Sequence, residues 1–232
     1  MRSEITPVQP STPDSWLEPA VEGVVQMSGW EAAAVLLALA YLLLAVRQNR
    51  LCWVAALVST ALYTLLFWQV QLLMQSALNV YYMAMAGYGW WHWRHGGRTR
   101  GDESEAQLPI TRWNGRRHLL VLVMIGACAL VSGALLDGYT QAARPYLDSF
   151  VTWGAVVTTW MVARKVLENW AYWMVINSVA VFLFIDRDMV LTAGLHASYL
   201  VISVFGWISW YRDYHDDGLG GRRQHGTGAG PQ

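Results

Sequence analysis

Trp170, Trp173 and Asn177 stand three and four residues apart inside the apolar stretch Arg164 to Asp186, RKVLENWAYWMVINSVAVFLFID. On a helix those intervals put the three side chains on one face. An amide in the middle of a lipid-length segment is costly unless something uses it. The stretch therefore reads as a transmembrane helix carrying part of a binding site, with ring faces for a flat ligand and an amide for its polar edge. Glu31, Asp137, Asp148, Glu168, Asp186 and Asp188 all fall near the ends of apolar runs. A cation held at mid-depth would thus rest on aromatic faces rather than on a counter-ion, through contacts worth about 2 kcal/mol when desolvated. The missing mid-depth carboxylate also counts against proton or sodium coupling.

Other chemistries lack their residues. The chain has no GxxxxGK[ST] phosphate loop, no HExxH, no GxSxG and no paired mid-span carboxylates, so neither nucleotide hydrolysis nor an intramembrane enzyme is expected. Cys52 and Cys128 stand alone, without CxxC or Cys/His spacing, so no disulfide, metal or cofactor is expected. The basic residues are those of short loops, and no nucleic-acid partner is expected; contact with membrane lipid is.

The elements that must position these residues are read from charge placement. The chain is rich in Trp, Leu, Val and Ala and contains one lysine, Lys165. Nearly all of its charges fall between apolar runs of about 17–23 residues, the length that spans a bilayer. An all-α, polytopic membrane protein follows. Residues 1–28, with four prolines and an acidic balance, read as a flexible arm lacking the features of a cleaved signal peptide. Spans are expected at Trp30–Val46, Leu51–Trp68 and Leu72–Trp93, giving a first bundle over residues 29–93. The charged stretch 94–117 reads as a loop and His118–Leu136 as a lone helix. Ser149–Ala163, Val166–Ile185 and Met189–Tyr211 form a second bundle over 148–211, and 212–232 reads as a disordered tail. With the N-terminus outside, the inner segments hold thirteen Lys and Arg residues and the outer ones only Arg2, Arg144 and Arg187. That bias places the N-terminus outside and the C-terminus in the cytoplasm.

Sliding the chain on itself by 117 residues superposes Arg47 on Arg164, Trp53 on Trp170, Leu78 on Leu195, Tyr82 on Tyr199, Gly89 on Gly206, Trp90 on Trp207 and Trp93 on Trp210. Two three-helix units of odd length point the same way only when a further span separates them. The expected layout is therefore seven helices as 3+1+3 parallel repeats, related by an axis along the membrane normal. Equivalent helices place equivalent residues at equal depth. Mid-span polar residues in offset pairs are Thr60 with Asn177, Asn79 with His196, and Tyr82 with Tyr199, and Gln75 extends the stripe one turn outward.

Each position also has a structural reading. Trp90, Trp91, Trp93, Trp207 and Trp210 read as interfacial anchors. Trp53 and Trp170 divide between anchoring and ligand contact. Thr60 can bond its own helix, and His196 can bridge neighbouring helices. Trp173 and Asn177 lean to ligand contact. An alternating-access carrier, with Gly154 and Gly194 as hinge candidates, a passive pore and a sensor that binds a small molecule without moving it all remain open, and aromatic crowding favours the carrier.

The segments RKVLENWAYWMVIN, YLDSFVTW, WQVQLLMQSALN and GYGWWHWR resemble the PnuC family of bacterial vitamin transporters over Trp30 to Tyr211, and the most specific piece is Glu168, Asn169, Trp170, Trp173 and Asn177. The resemblance implies a fold akin to the SWEET sugar transporters, an inner-membrane homotrimer, and uptake of nicotinamide riboside by facilitated diffusion with trapping by a cytoplasmic kinase. The same family includes members resembling thiamine or riboflavin carriers.

Overall fold

A computed structural model describes residues 28–69, 73–96, 108–140, 144–187 and 189–226, with the backbone alone at 73–75 and 217–226. Most of the N-terminal arm, residues 97–107 of the 94–117 loop, and the end of the tail lie outside the described residues. The described residues form seven helices: α1 (Gly29–Val46), α2 (Cys52–Gln69), α3 (Leu73–His95), α4 (Gly115–Tyr139), α5 (Pro145–Ala163), α6 (Asn169–Ile185) and α7 (Val190–Gly226).

Local chemistry sets several of the ends. Ser28 and Glu31 form a capping box at α1: the Glu31 amide donates to Ser28 Oγ at 3.3 Å, and Glu31 Oε2 accepts from the Ser28 amide at 2.8 Å. Asn114 caps α4 by accepting from the Arg117 amide at 3.1 Å. Pro145 opens α5, where its missing N–H costs nothing.

Helices α1, α2, α4 and residues 190–216 of α7 are long and apolar enough to cross a membrane, and α6 is apolar but only 17 residues long. The chain is a multi-pass membrane protein. Helices α3 and α5 are less apolar because they turn hydroxyls, and in α5 a carboxylate, toward the interior described below.

Several boundaries differ from the sequence expectation: α4 extends three residues beyond His118–Leu136 at each end, and α5 begins at Pro145 rather than Ser149. Helix α6 starts at Asn169 rather than Val166, because Val166 forms a parallel bridge with Thr111. The Thr111 amide donates to the Lys165 carbonyl at 2.9 Å and the Leu167 amide to the Thr111 carbonyl at 2.8 Å, tying the α3–α4 connection onto the α5–α6 turn. At the other end of the chain α7 runs past Tyr211 to Gly226, where a disordered tail was expected. Its first turn beyond Tyr211 finds partners: Tyr211 and His215 lie with ring centroids 4.5 Å apart, and Asp213 accepts from Gln48 Nε2 at 2.6 Å.

Residues 117 apart make matching contacts at the arginine-rich end of the bundle. After α1 the Asn49 amide reaches the Leu44 carbonyl at 2.9 Å, and after α5 the Val166 amide reaches the Met161 carbonyl at 3.0 Å, a six-to-one closure of each helix end. Each closure needs a left-handed residue, and the two that adopt it are Gln48 at φ 53° and Lys165 at φ 48°. Neither is glycine, so both carry a local backbone cost of about 1–2 kcal/mol. These two residues then meet, Lys165 Nζ donating to Gln48 Oε1 at 2.8 Å. Lys165 also lies 4.7 Å from the centroid of the Trp93 ring.

The core around them repeats the same device. A side chain at Gly89 would meet the Trp53 indole within 3.0 Å, and one at Gly206 would meet the Trp170 indole at 2.5–2.6 Å, so both glycines exist to admit a ring. Trp53 meets Trp93 edge-on at 5.5 Å and 88°, and Trp170 meets Trp210 at 5.4 Å and 88°. Trp93 Nε1 donates to the Val162 and Ala163 carbonyls of α5 at 3.3 and 3.2 Å, while Trp210 Nε1 donates to the Ala45 carbonyl of α1 at 3.1 Å. Trp93 thus ties α3 to α5, and Trp210 ties α7 to α1.

Candidate functional site

A cavity of about 340 Å³ opens between α1, α2, α3, α5, α6 and α7. Its wall residues recur at helical intervals: Ala38, Tyr41 and Leu42 on α1; Ala56, Ser59, Thr60 and Tyr63 on α2; Asp148, Val151, Thr152, Ala155 and Thr159 on α5; Trp173, Ile176 and Asn177 on α6. Spacings of three and four keep each set on one face, so the cavity is a consequence of how four helix faces meet. Six pairs at the repeat spacing line it on both sides: Ala38 with Ala155, Leu42 with Thr159, Ala56 with Trp173, Ser59 with Ile176, Thr60 with Asn177, and Tyr82 with Tyr199.

The pairs are not chemically equal. Asn177 is buried and its Oδ1 lies 2.9 Å from His196 Nδ1, so the amide meets the imidazole of α7 inside the cavity. With Nδ1 as the donor, that bond leaves the Asn177 amide N–H and His196 Nε2 for other partners. Thr60, its counterpart, donates to the Ala56 carbonyl of its own helix at 2.8 Å. His196 is further held by Phe184, stacked at 5.1 Å, and by Tyr199, edge-on at 5.5 Å. Where α6 carries Trp173 the matching position on α2 is Ala56, and both line the cavity, so the two walls carry an indole and a methyl at the same place in the repeat spacing.

Of the residues singled out from sequence, Thr60, Tyr82, Trp173, Asn177, His196 and Tyr199 line the cavity. Trp170 does not: it is 1% exposed and packed on Gly206 and Trp210. Its place in the apparent stripe comes from helical spacing, but the glycine opposite draws the ring into the core at the helix end. Asn79 is buried in α3 and also stands outside the lining, whereas its counterpart His196 is within it. The Gln75 side chain lies outside the described residues. Glu168 and Asn169, part of the most specific motif, hold structure: Glu168 accepts from Arg112 Nε at 2.9 Å and from the Trp113 amide at 3.3 Å, and Asn169 Nδ2 donates to the Val166 carbonyl at 2.6 Å.

Tyr41, Trp53, Tyr63, Thr152, Thr159 and Asp148 line the cavity as well. A search for mid-span polar residues in offset pairs misses Tyr63, Thr152 and Thr159, whose counterparts Ala180, Val35 and Leu42 are apolar. It passes over Asp148 with its counterpart Glu31 as span-end residues, whereas Trp53 divides on sequence between anchoring and ligand contact. The helical spacing of Tyr41 with Ala38 and Leu42, and of Asp148 with Thr152 and Thr159, was the available signal. Asp148 brings a carboxylate to the outer part of the cavity, where Arg187 Nη2 donates to it at 2.8 Å. Beside it Arg144 grips Asp186 with two bonds, at 2.6 and 2.8 Å. That hydrogen-bonded guanidinium holds the Asp186 carboxyl below the usual carboxylate range and raises Arg144 in turn.

Membrane helices enclosing a mid-bundle cavity with aromatic walls and a buried amide define a multi-pass membrane protein built to hold a small molecule. Comparison with known proteins assigns it a family. The model of the nicotinamide mononucleotide transporter family matches residues 28–212, and the chain belongs to that family, the one its motifs resemble. The nicotinamide riboside transporter PnuC of Escherichia coli is 26% identical over 153 residues, covering 55% of this chain and 62% of that protein. The riboflavin/roseoflavin transporter RibM of Streptomyces davaonensis is 22% identical over 130 residues, covering 56% of this chain and 60% of that one. The chain thus spans about three fifths of the length of these curated relatives. The crystal structure of the vitamin B3 transporter PnuC superposes with a TM-score of 0.65 at 21% identity, over 87% of this chain and 88% of that one, and so shares the fold.

Proposed function

We propose that this chain is a facilitative carrier that moves a flat, cationic, ring-bearing vitamin, nicotinamide riboside, across the bacterial inner membrane. The observation that carries the reading is the cavity itself, where Asn177 and His196 meet at 2.9 Å beside the Trp173 ring. The ring face suits a pyridinium through stacking and cation–π attraction, while the amide and the imidazole suit the polar edge and the sugar hydroxyls. Trp173, Asn177, His196, Tyr82 and Tyr199 are the proposed contacts, with Thr60 lining the cavity while its hydroxyl stays on its own helix, Asn79 and Gln75 flanking them and Trp170 supporting the wall.

The proposed architecture is a 3+1+3 parallel repeat of seven spans, SWEET-like, with α4 as the inverting helix. Matched contacts at both glycine–indole pairs and six paired wall positions support it. Such halves can rock about the central cavity and open it to each side in turn. With no carboxylate at mid-depth, uptake runs down the vitamin's own gradient and is made one-way by phosphorylation in the cytoplasm. The arginine bias supports an N-terminus outside and a C-terminus in the cytoplasm, and family membership supports a homotrimer.

Riboflavin or thiamine is the second reading of substrate, favoured by the similarity to RibM. A melting panel on the purified protein with nicotinamide riboside, nicotinamide mononucleotide, thiamine and riboflavin separates these, since a ligand of the folded state raises its stability. Nicotinamide riboside is expected to give the largest rise; a larger rise with riboflavin or thiamine reassigns the substrate, and none with any of the four removes the vitamin reading.

A further inference from the structure

A second cavity, of about 530 Å³, lies at the arginine-rich end of the bundle, between the end of α3, the connection at residues 108–113, the start of α4 and the end of α5. Arg112, Arg117 and Arg164 line it, together with Trp160, Leu120 and Val121. Arg112 donates through Nε to Glu168 at 2.9 Å, and its Cζ lies 6.0 Å from the centroid of the Tyr214 ring. Among the described residues no carboxylate pairs with Arg117 or Arg164. Arg164 is instead held over the Trp160 ring, its Cζ 5.4 Å from the centroid, a contact that orients a guanidinium without neutralising it. Three guanidiniums therefore share one small space with a single carboxylate that also accepts from the Trp113 amide.

Guanidinium groups clustered in this way match the oxygens of a phosphoryl group, which each can meet with parallel hydrogen bonds. The remaining wall is apolar and open to the membrane side of α4: Leu120 is 69% exposed, and Leu119 and Val123 beside it are 63% and 61% exposed. A charged rim above an apolar slot suits a head group with an attached chain.

We propose that this cavity is a binding site for a phosphoryl group, separate from the central cavity and independent of what the central cavity transports. The group arrives on an anionic phospholipid or on a soluble phosphate ester. The test uses the full-length protein in neutral phosphatidylcholine nanodiscs, titrated with short-chain phosphatidylglycerol in one arm and adenosine monophosphate in the other. Binding is read from melting temperature and from the fluorescence of Trp160, identified by its loss in Trp160→Phe. At least one probe is expected to raise the melting temperature saturably, and which one does so assigns the source. The double variant Arg117→Gln, Arg164→Gln is expected to bind at least tenfold more weakly while melting normally without ligand. Arg47→Gln removes the same charge at the matching position of the first turn, away from the cavity, and is expected to change affinity less than twofold. A parent protein that responds to neither probe overturns the site. Equal losses in Arg47→Gln and the double variant also overturn it, because they reduce the effect to bulk charge.

Discussion

Gly89 and Gly206 each admit an indole face, and Trp93 and Trp210 each donate to a carbonyl at the end of the opposite first helix. Deeper in the same helices the correspondence fails: Thr60 bonds its own backbone where Asn177 holds His196, and Ala56 stands where Trp173 does. At the arginine-rich end positions 117 residues apart make the same contacts, whereas in the cavity they do not. On the proposed repeat and the proposed function, a fully matched wall would offer the ligand the same group twice, and unequal groups suit a small asymmetric molecule better.

Breaking the symmetric end is expected to give the largest effect. Gly89→Leu and Gly206→Leu drive a side chain into a fixed indole, and each is expected to lower stability by about 3 kcal/mol through overpacking. Melting of the two variants checks this. Similar losses sharpen the comparison, and tolerance of one substitution shows that the two ends differ. Next is the cavity. Asn177→Leu is expected to cut uptake at least about tenfold, roughly 1.4 kcal/mol or more in transition-state or ligand stabilisation, with the protein still inserted and folded. Thr60→Val, by contrast, is expected to stay within about twofold in the same uptake assay. If both fall equally, the cavity is being used symmetrically.

Trp173→Ala is expected to weaken vitamin binding by about 1–3 kcal/mol through lost stacking and cation–π contact, as read by calorimetry. Ala56→Trp places an indole at the matching lining position, and it is expected to abolish binding by filling the cavity rather than to improve it. The smallest effect is at the outer end. Arg144 lowers the Asp186 pKa, so this pair contributes stability fully above the ordinary carboxylate value of 3.8 and loses it as pH falls through the lower folded value. Arg144→Gln is expected to flatten the acid limb of the melting profile below about pH 4. An unchanged acid limb removes the pair from the stability of that end.

Much of the bundle was legible because a membrane forces it to be. Apolar runs of bilayer length mark helices, and charges mark the turns between them. The glycine–tryptophan pairs gave the repeat spacing, and four of the tryptophans in it do pack as two matching edge-on pairs. What the sequence did not disclose was direction. Trp170 and Trp173 share a helix face on spacing alone, yet Gly206 takes the first into the core while the second lines the cavity. Likewise the Glu168 of the most specific motif fastens the Arg112 loop, a contact between residues 56 apart that no periodicity reports. Tyr41 and Asp148 line the cavity because the faces of α1 and α5 that carry them turn toward it, an orientation fixed by tertiary packing and not by local spacing.

The most direct measurement is counterflow of labelled nicotinamide riboside into liposomes holding the full-length protein, with parent and Asn177→Leu compared side by side. Unlabelled vitamin preloaded inside is expected to accelerate entry through the parent and to do nothing for the variant. Entry that is indifferent to the preload in the parent, or that is equally fast in Asn177→Leu, would contradict a carrier working through this cavity.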